Sequence, residues 1–182
     1  MDLHFIFVQS FGIIATICFL LSYQVKSNKG LYLLQAAGCG AFAIQYLLLG
    51  AYSGCLSQVF VITRNLMLSR YNQWAWVRSK FWVPVFIVLA FIIIYFTWDG
   101  PISLIPLFIM VFGTIGMWTN NAGLIRLTGL ICISPEWIVY DIIVGAYSAI
   151  LNEAFIIISV MYSIVRFGWR HMLDPESEFQ KK

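Results

Sequence analysis

Seven apolar runs, separated by short polar or helix-breaking stretches, dominate this sequence. A bilayer core about 30 Å thick is crossed by a helix of about 20 apolar residues, which is roughly the length of each run. Residues 30–69 are too many for one helix, so the weakly polar residues 50–53 are interpreted as a tight hairpin. The runs cover residues 5–24, 30–49, 52–69, 80–98, 102–119, 124–144 and 147–166. We therefore predict an all-α polytopic membrane protein with seven transmembrane helices.

The scarcity of charge supports this interpretation and excludes an ordinary soluble domain. Charged residues make up 10% of the 182 positions and hydrophobic residues 61%, whereas soluble domains carry about a quarter charged residues. The surroundings should therefore be a lipid bilayer, and the net charge of +3 does not indicate a nucleic-acid partner. The four cysteines are not spaced as metal ligands, and we expect neither a metal nor a cofactor.

The basic residues predict the orientation, because Lys and Arg collect on the cytoplasmic side of bacterial membrane proteins. Every Lys and Arg falls at or near one membrane face, whereas the opposite face carries Asp2 and Asp99. The N-terminus should therefore lie outside, in the periplasm or extracellular space, and the C-terminus in the cytoplasm. The eleven basic residues are Lys26, Lys29, Arg64, Arg70, Arg78, Lys80, Arg126, Arg166, Arg170, Lys181 and Lys182.

A tetrapeptide that occurs twice indicates an internal repeat. Gly-Ala-Tyr-Ser stands at residues 50–53 and again, 95 positions later, at residues 145–148. Asn-Lys-Gly-Leu at residues 28–31 and Asn-Ala-Gly-Leu at residues 121–124 open the second helix of each unit. A second three-helix unit in the same orientation requires one extra span, which residues 80–98 supply. We predict 3+1+3 parallel triple-helix repeats, an arrangement known from transporters.

This plan divides the chain into four parts. The first triple-helix unit covers residues 1–72 and a linker transmembrane helix lies in residues 73–100. The second unit covers residues 101–170, and residues 171–182 form a cytoplasmic tail.

Three stretches, "SYQVKSNKGLYLLQAAG", "QYLLLGAYSG" and "ITRN", resemble the YgjV family of bacterial inner-membrane proteins. The resemblance implies a location in the bacterial inner membrane and brings no substrate. More distantly, the layout is similar to that of the SWEET, PQ-loop and PnuC transporters. Where PQ-loop proteins have a Pro-Gln hinge, this chain has Tyr23-Gln24 and Gly116-Met117. Gly113 and Gly116 could supply flexibility in the second unit.

Polar side chains inside the spans predict a central substrate-binding site, because burying them in a bilayer is costly. Glu136 is nine residues before Gly145, hence about 13 Å below the outer hairpin. Ser134-Pro135 should weaken the helix beside it, and Trp and Tyr rings would form stacking walls. Alternatively, Glu136 or Glu153 pairs with Arg126 or Arg64 and only fixes helix packing. The predicted substrate-binding residues are Glu136, Trp137, Asp141, Asn152 and Glu153, facing Gln45, Tyr46, Ser57 and Gln58.

The inner end of the third span carries Arg64-Asn65, which is interpreted either as an inner gate or as a binder of anionic lipid headgroups. Because every cation lies towards the inner face, at least one of Glu136, Asp141 and Glu153 should be protonated at neutral pH. Glu136 is the first candidate, since it is the deepest of the three and follows Pro135.

The sequence leaves more than one function open. A facilitative or proton-coupled carrier for a small polar solute is favoured by the repeat and by the acids near midplane depth. The alternatives are a non-transporting membrane receptor or lipid-binding scaffold on the same fold, and a small intramembrane enzyme. No enzyme motif such as His-Glu-x-x-His or Gly-x-Ser-x-Gly occurs, so an enzyme is not expected. The pathway should lie within one protomer, and the oligomeric state stays open.

Overall fold

The protein is built from helices joined by short connections. The structure, a computed structural model, describes residues 3–24, 28–71, 73–119 and 122–167. Two short 3-10 helices, Ala75–Arg78 and Pro101–Ser103, precede the fourth and fifth long helices. The α-helices are α1 Leu3–Gln24, α2 Asn28–Leu48, α3 Tyr52–Leu68, α4 Trp82–Phe96, α5 Leu104–Trp118, α6 Ala122–Thr128, α7 Ser134–Val144 and α8 Tyr147–Phe167.

These elements match the seven apolar runs of the sequence. Helices α6 and α7 form one rod, because the π-helical segment Gly129–Ile133 joins them without a break. The described part of the chain therefore contains seven helical rods and no β-strand. The predicted all-α class is confirmed, and the rods begin and end within about two residues of the predicted runs. The predicted tail, residues 171–182, lies outside the described residues.

Three of the rods are long and apolar enough to cross a membrane by length and composition. They are Leu3–Ser22, Pro101–Trp118 and Leu124–Val144. Shorter apolar helices cover Tyr32–Leu48, Trp82–Phe96 and Tyr147–Tyr162. Helix α3 is in neither group, because several of its buried residues are polar, among them Ser57, Gln58, Arg64 and Asn65. The polarity that sets α3 apart thus faces the inside of the protein.

The second and third rods, and likewise the sixth and seventh, are joined by tight turns of the same construction. Gly50 and Gly145 both have a positive φ, 74° and 79°, which glycine adopts without steric cost. In each turn an amide closes back over five residues. Ala51 donates to the Tyr46 carbonyl at 2.9 Å, and Ala146 donates to the Asp141 carbonyl at 2.9 Å. The two Gly-Ala-Tyr-Ser stretches therefore have the same local structure. We call this end of the molecule the hairpin end.

Six of the rods form a closed ring. Helix α1 packs on α2 and α8, α2 packs on α3, and α3 packs on α5. The ring closes because α5 packs on the α6–α7 rod and α7 packs on α8. Helix α4 packs mainly on α3 and α5, through a cluster that includes Phe60, Phe86 and Met110. A second cluster, with Tyr46, Trp137 and Tyr140, fills the ring near the hairpin end.

The sixth rod changes its winding just before the predicted site. The amide of Ser134 bonds to the carbonyl of Gly129, five residues earlier, instead of four. Pro135 follows in the first turn of α7, and proline has no N–H to continue an α-helical ladder. The expected weakening at Ser134-Pro135 is confirmed, and it takes the form of a π-helical segment, a feature frequent at functional sites.

Candidate functional site

The middle of the ring near the hairpin end is occupied by a tyrosine, a tryptophan and an aspartate. The Tyr46 hydroxyl donates to Asp141 Oδ1 at 2.6 Å. The Tyr46 ring stacks on Trp137, with centroids 5.7 Å apart and planes 12° apart. Both residues of the hydrogen bond are 1% exposed. The structure therefore brings together three of the predicted binding residues, one from α2 and two from α7.

Two further polar groups flank this centre. On one side Ser53 Oγ lies 3.0 Å from the Tyr140 hydroxyl, which also accepts from the Gly54 amide at 2.8 Å. On the other side Gln45 Nε2 donates to Ser148 Oγ at 2.8 Å and to Gln9 Oε1 at 3.1 Å. These bonds join helices α1, α2, α3, α7 and α8 at the hairpin end.

The two flanking groups correspond to each other in the sequence. Ser53 and Ser148 are 95 positions apart, and so are Gln45 and Tyr140. The contact of Ser53 with Tyr140 therefore has the contact of Ser148 with Gln45 as its counterpart. Tyr46 and Asp141 are also 95 positions apart, so this pair is its own counterpart.

A second carboxyl group lies farther from the hairpin end. Glu153 is 8% exposed, and its Oε1 accepts a hydrogen bond from Asn152 Nδ2 at 3.1 Å. The Ser134 hydroxyl lies beside the same carboxyl, and Asp141 is within electrostatic reach. Among the described residues, neither Asp141 nor Glu153 forms an ion pair with a Lys or Arg. The site therefore holds two buried acids that no described Lys or Arg neutralises by an ion pair.

Arg64 lies deep in the protein, although it stands in the last half of α3. Its side chain is 4% exposed. Nη1 lies 3.5 Å from Thr114 Oγ1 on α5, and Nε has no hydrogen-bond partner among the described residues. The neighbouring Asn65 is 1% exposed, and its Oδ1 is also without a partner. Such burial leaves Arg64 little surface to offer a lipid headgroup.

Not every predicted residue belongs to this cluster in the same way. The Ser57 hydroxyl donates to the Gly54 carbonyl of its own helix at 2.7 Å, and Gln58 is 5% exposed. Glu136 is only half-buried, although its Oε2 is buried and without a partner. Glu136 is the deepest of the three acids along its helix, but it is not the most buried. Asp141 and Glu153 are more enclosed than Glu136.

Sequence reasoning missed several residues of the network. Gln9 donates to the Gly145 carbonyl at 2.8 Å and accepts from Ser148, which ties α1 to the second hairpin. Its signal was available, because a glutamine within an apolar run needs a partner. Ser53 and Ser148 were marked as repeat residues only, and Tyr140 and Thr114 carried no distinguishing pattern.

The chain matches one protein family over most of its length. The profile of the Imp-YgjV family, described as bacterial inner membrane protein, matches residues 6–171. No curated protein and no solved structure matches the chain. Because the match covers far more than half of the sequence, the chain belongs to the Imp-YgjV family of bacterial inner membrane proteins.

Proposed function

We propose that this protein is a carrier of the bacterial inner membrane, facilitative or proton-coupled, which moves a small polar solute through a site between two three-helix units. The observation that carries the proposal is the pair of buried acids Asp141 and Glu153, which lie inside the ring and form no ion pair with a described Lys or Arg. Ionisable groups inside membrane proteins are costly and mark pathways for ions or substrates.

The contacts at the hairpin end support two equivalent units in parallel orientation. The α3–α5 and α8–α1 interfaces correspond when α1–α3 are taken as one unit and α5–α8 as the other. A residue can contact the equivalent residue of the other unit only where both lie beside the two-fold axis that relates the units. Tyr46 contacts its equivalent residue, Asp141. Helix α4 is then the extra span that allows the second unit to have the same orientation as the first, which gives seven spans in a 3+1+3 order.

The charge distribution supports the orientation. Arg70, Arg78 and Lys80 stand between α3 and α4, at the end opposite the hairpins, whereas Asp99 stands at the hairpin end. By the positive-inside rule the hairpin end faces the periplasm and both units open their other end to the cytoplasm. The N-terminus is then outside and the C-terminus inside.

The hydrogen bonds at the hairpin end would act as the outer gate of such a carrier. Tyr46 with Asp141, Ser53 with Tyr140, and Gln45 with Ser148 all cross from the first unit to the second. Opening outward requires these bonds to break, and a solute that replaces them lowers that cost. The π-helical segment Gly129–Ile133 is a suitable hinge, because its hydrogen-bond ladder is already irregular.

Flux through the purified protein tests the proposal. Reconstituted in liposomes, the wild type should accelerate the uptake of at least one solute from a panel of radiolabelled amino acids, sugars, nucleosides and vitamins. Asp141→Asn should abolish this uptake, whereas Asp99→Asn, which changes an exposed carboxyl at the same end, should leave it unchanged.

Two results would count against a carrier. Binding of a solute without any flux would favour the receptor or scaffold on the same fold. Uptake that is the same in Asp141→Asn and wild type would show that the central acids have no part in the pathway.

A further inference from the structure

The guanidinium of Arg64 is a permanent charge that the described protein does not neutralise. Arginine keeps its proton under all ordinary conditions, and a buried charge is stable only when it is paired and hydrogen-bonded. Among the residues that the structure describes, no carboxylate forms an ion pair with Arg64, and its one hydrogen bond is 3.5 Å long. Nε and the adjacent Asn65 Oδ1 stay without partners. An oxyanion of a ligand would satisfy the guanidinium.

Arg64 lies farther from the hairpin end than the two acids, on a helix whose side chains lean towards that end. Side chains of an α-helix lean towards its N-terminus, and the N-terminus of α3 is at the hairpin end. Arg64 is twelve residues after Tyr52, and Glu153 is six residues after Tyr147. The six-residue difference corresponds to about 9 Å along the axis. The Arg64 guanidinium lies 6.0 Å from the centroid of the Phe60 ring, one helical turn nearer the hairpin end.

Cys39 of α2 shows that Arg64 and Glu153 face one interior. Its side chain is 1% exposed and lies within electrostatic reach of both. Glu153 is in turn within reach of Asp141 and Tyr46. Opposite charges thus lie along the ring interior, with the cation farther from the hairpin end and the acids nearer to it.

We propose that the solute is a small zwitterion, whose oxyanion binds Arg64 and whose ammonium group binds Glu153 and Asp141. The stacked rings of Tyr46 and Trp137 stand beside Asp141, and aromatic rings attract ammonium groups. This assignment deepens the proposed carrier and rests on it for the claim that the solute is moved. A solute with one charge would leave either the arginine or the acids unpaired.

Binding to the full-length protein in nanodiscs tests the assignment separately from transport. The probes are the twenty common amino acids and glycine betaine. Each amino acid with an uncharged side chain is compared with its amide, which keeps only the ammonium charge, and with the matching 2-hydroxy acid, which keeps only the carboxylate. We expect at least one zwitterion to bind, with both single-charge analogues weaker by about tenfold or more, as for loss of one buried charge pair.

Variants assign the two ends of the ligand. Arg64→Gln should weaken the binding of the zwitterion by about tenfold or more and leave the binding of its amide unchanged. Glu153→Gln should weaken the binding of the zwitterion to the same extent and leave the binding of the 2-hydroxy acid unchanged. Arg70→Gln is the matched control, since Arg70 makes a contact with exposed Gln73.

A second variant covers the case in which Arg64→Gln does not fold. A Cβ added at Gly113 would lie 2.9 Å from Arg64 Nη1, so Gly113→Ala displaces the guanidinium without removing its charge. Gly113→Ala should weaken the binding of the zwitterion. Gly40→Ala has open space around the added carbon and should leave this binding unchanged.

The outcomes separate the two proposals. If no zwitterion binds, or if a single-charge analogue binds as well as its parent, the assignment is overturned. Flux of an uncharged or singly charged solute would overturn it too, while the carrier would stand. Binding of a zwitterion without flux would keep the assignment and reject the carrier.

Discussion

Tyr46 and Asp141, 95 positions apart in the sequence, are joined by a hydrogen bond of 2.6 Å inside the ring. The same offset separates Gly50 from Gly145 and Ser53 from Ser148, the residues of the two tight turns. The two halves of the chain thus place an aromatic hydroxyl and a carboxylate at corresponding positions and use them against each other. Tyr46 supplies the donor of this hydrogen bond and Asp141 the acceptor, so the two halves contribute different groups to one contact.

Loss of the Tyr46 hydroxyl should destabilise the protein. In Tyr46→Phe the Asp141 carboxylate loses a buried donor, which costs about 1–3 kcal/mol. Thermal melting in detergent should show a lower midpoint than wild type. Tyr52→Phe is the control, because Tyr52 is 62% exposed at the start of α3, and its midpoint should not change. Equal midpoints for both variants would mean that the hydrogen bond contributes nothing to stability.

A methyl group at Gly12 should disrupt the flanking network. A Cβ there would overlap the Ser148 hydroxyl and the Gln45 amide oxygen, so Gly12→Ala forces α1 away from α8. We expect a lower melting midpoint and about 1–3 kcal/mol of lost stability, as for an overpacked core. Gly40→Ala places the same group in open space and should stabilise α2 slightly, because alanine favours helices. If the two variants behave alike, the packing of α1 against α8 is not as described.

Replacing either hairpin glycine with alanine should lower the free energy of unfolding by a similar amount. Gly50→Ala and Gly145→Ala each force an L-residue into the left-handed region, at about 1–2 kcal/mol. The effects should add in the double variant, because the turns share no side-chain partner. Urea or thermal unfolding of the two single variants and the double variant measures this. A strongly unequal pair of single effects would indicate that one turn is held by contacts outside the hairpin.

Thiol labelling should reveal the orientation. In a variant with the four cysteines replaced by serine, Asp99→Cys should react with a membrane-impermeant maleimide in intact cells. Ser79→Cys should react only after the membrane is opened, since both positions are exposed but stand at opposite ends of α4. The reverse pattern would invert the proposed topology.

Binding of a zwitterion should depend on pH through the acids. A proton and the ammonium group compete for the oxygens of Asp141 and Glu153, so affinity should fall as the pH is lowered from about 8 to about 5. Tyr46 and Tyr140 face Asp141, and Cys39 faces Glu153. Glu153→Gln should bind more weakly and vary less with pH. A wild-type affinity that is constant over this range would exclude the competition.

The helices were predictable from the sequence, because polar breaks and glycines divide long apolar runs. The partners of the polar residues were harder to predict. Tyr46 and Asp141 were placed in one site by their depth, but depth alone does not reveal that their side chains meet. Ser57 shows the opposite case, since it is buried at the expected depth and yet bonds to its own helix. Arg64 appeared to stand near the membrane face, and only the packing of α3 against α5 reveals how completely it is enclosed.

The π-helical segment lies where the sixth rod is longer than the second, its counterpart on the proposed two-unit plan. Before it, the motif at residues 28–31 has its counterpart 93 positions later, whereas after it Tyr46 has its counterpart 95 positions later. The sixth rod thus contains two residues more than the second, and they fall between these two points. Each i→i+5 bond encloses one residue more than an α-helical bond does, so the segment Gly129–Ile133 takes up surplus chain without a loop. On the proposed two-unit plan, the bond from Ser134 to Gly129 accounts for one of the two additional residues, and beyond it Trp137 and Asp141 still lie against Tyr46.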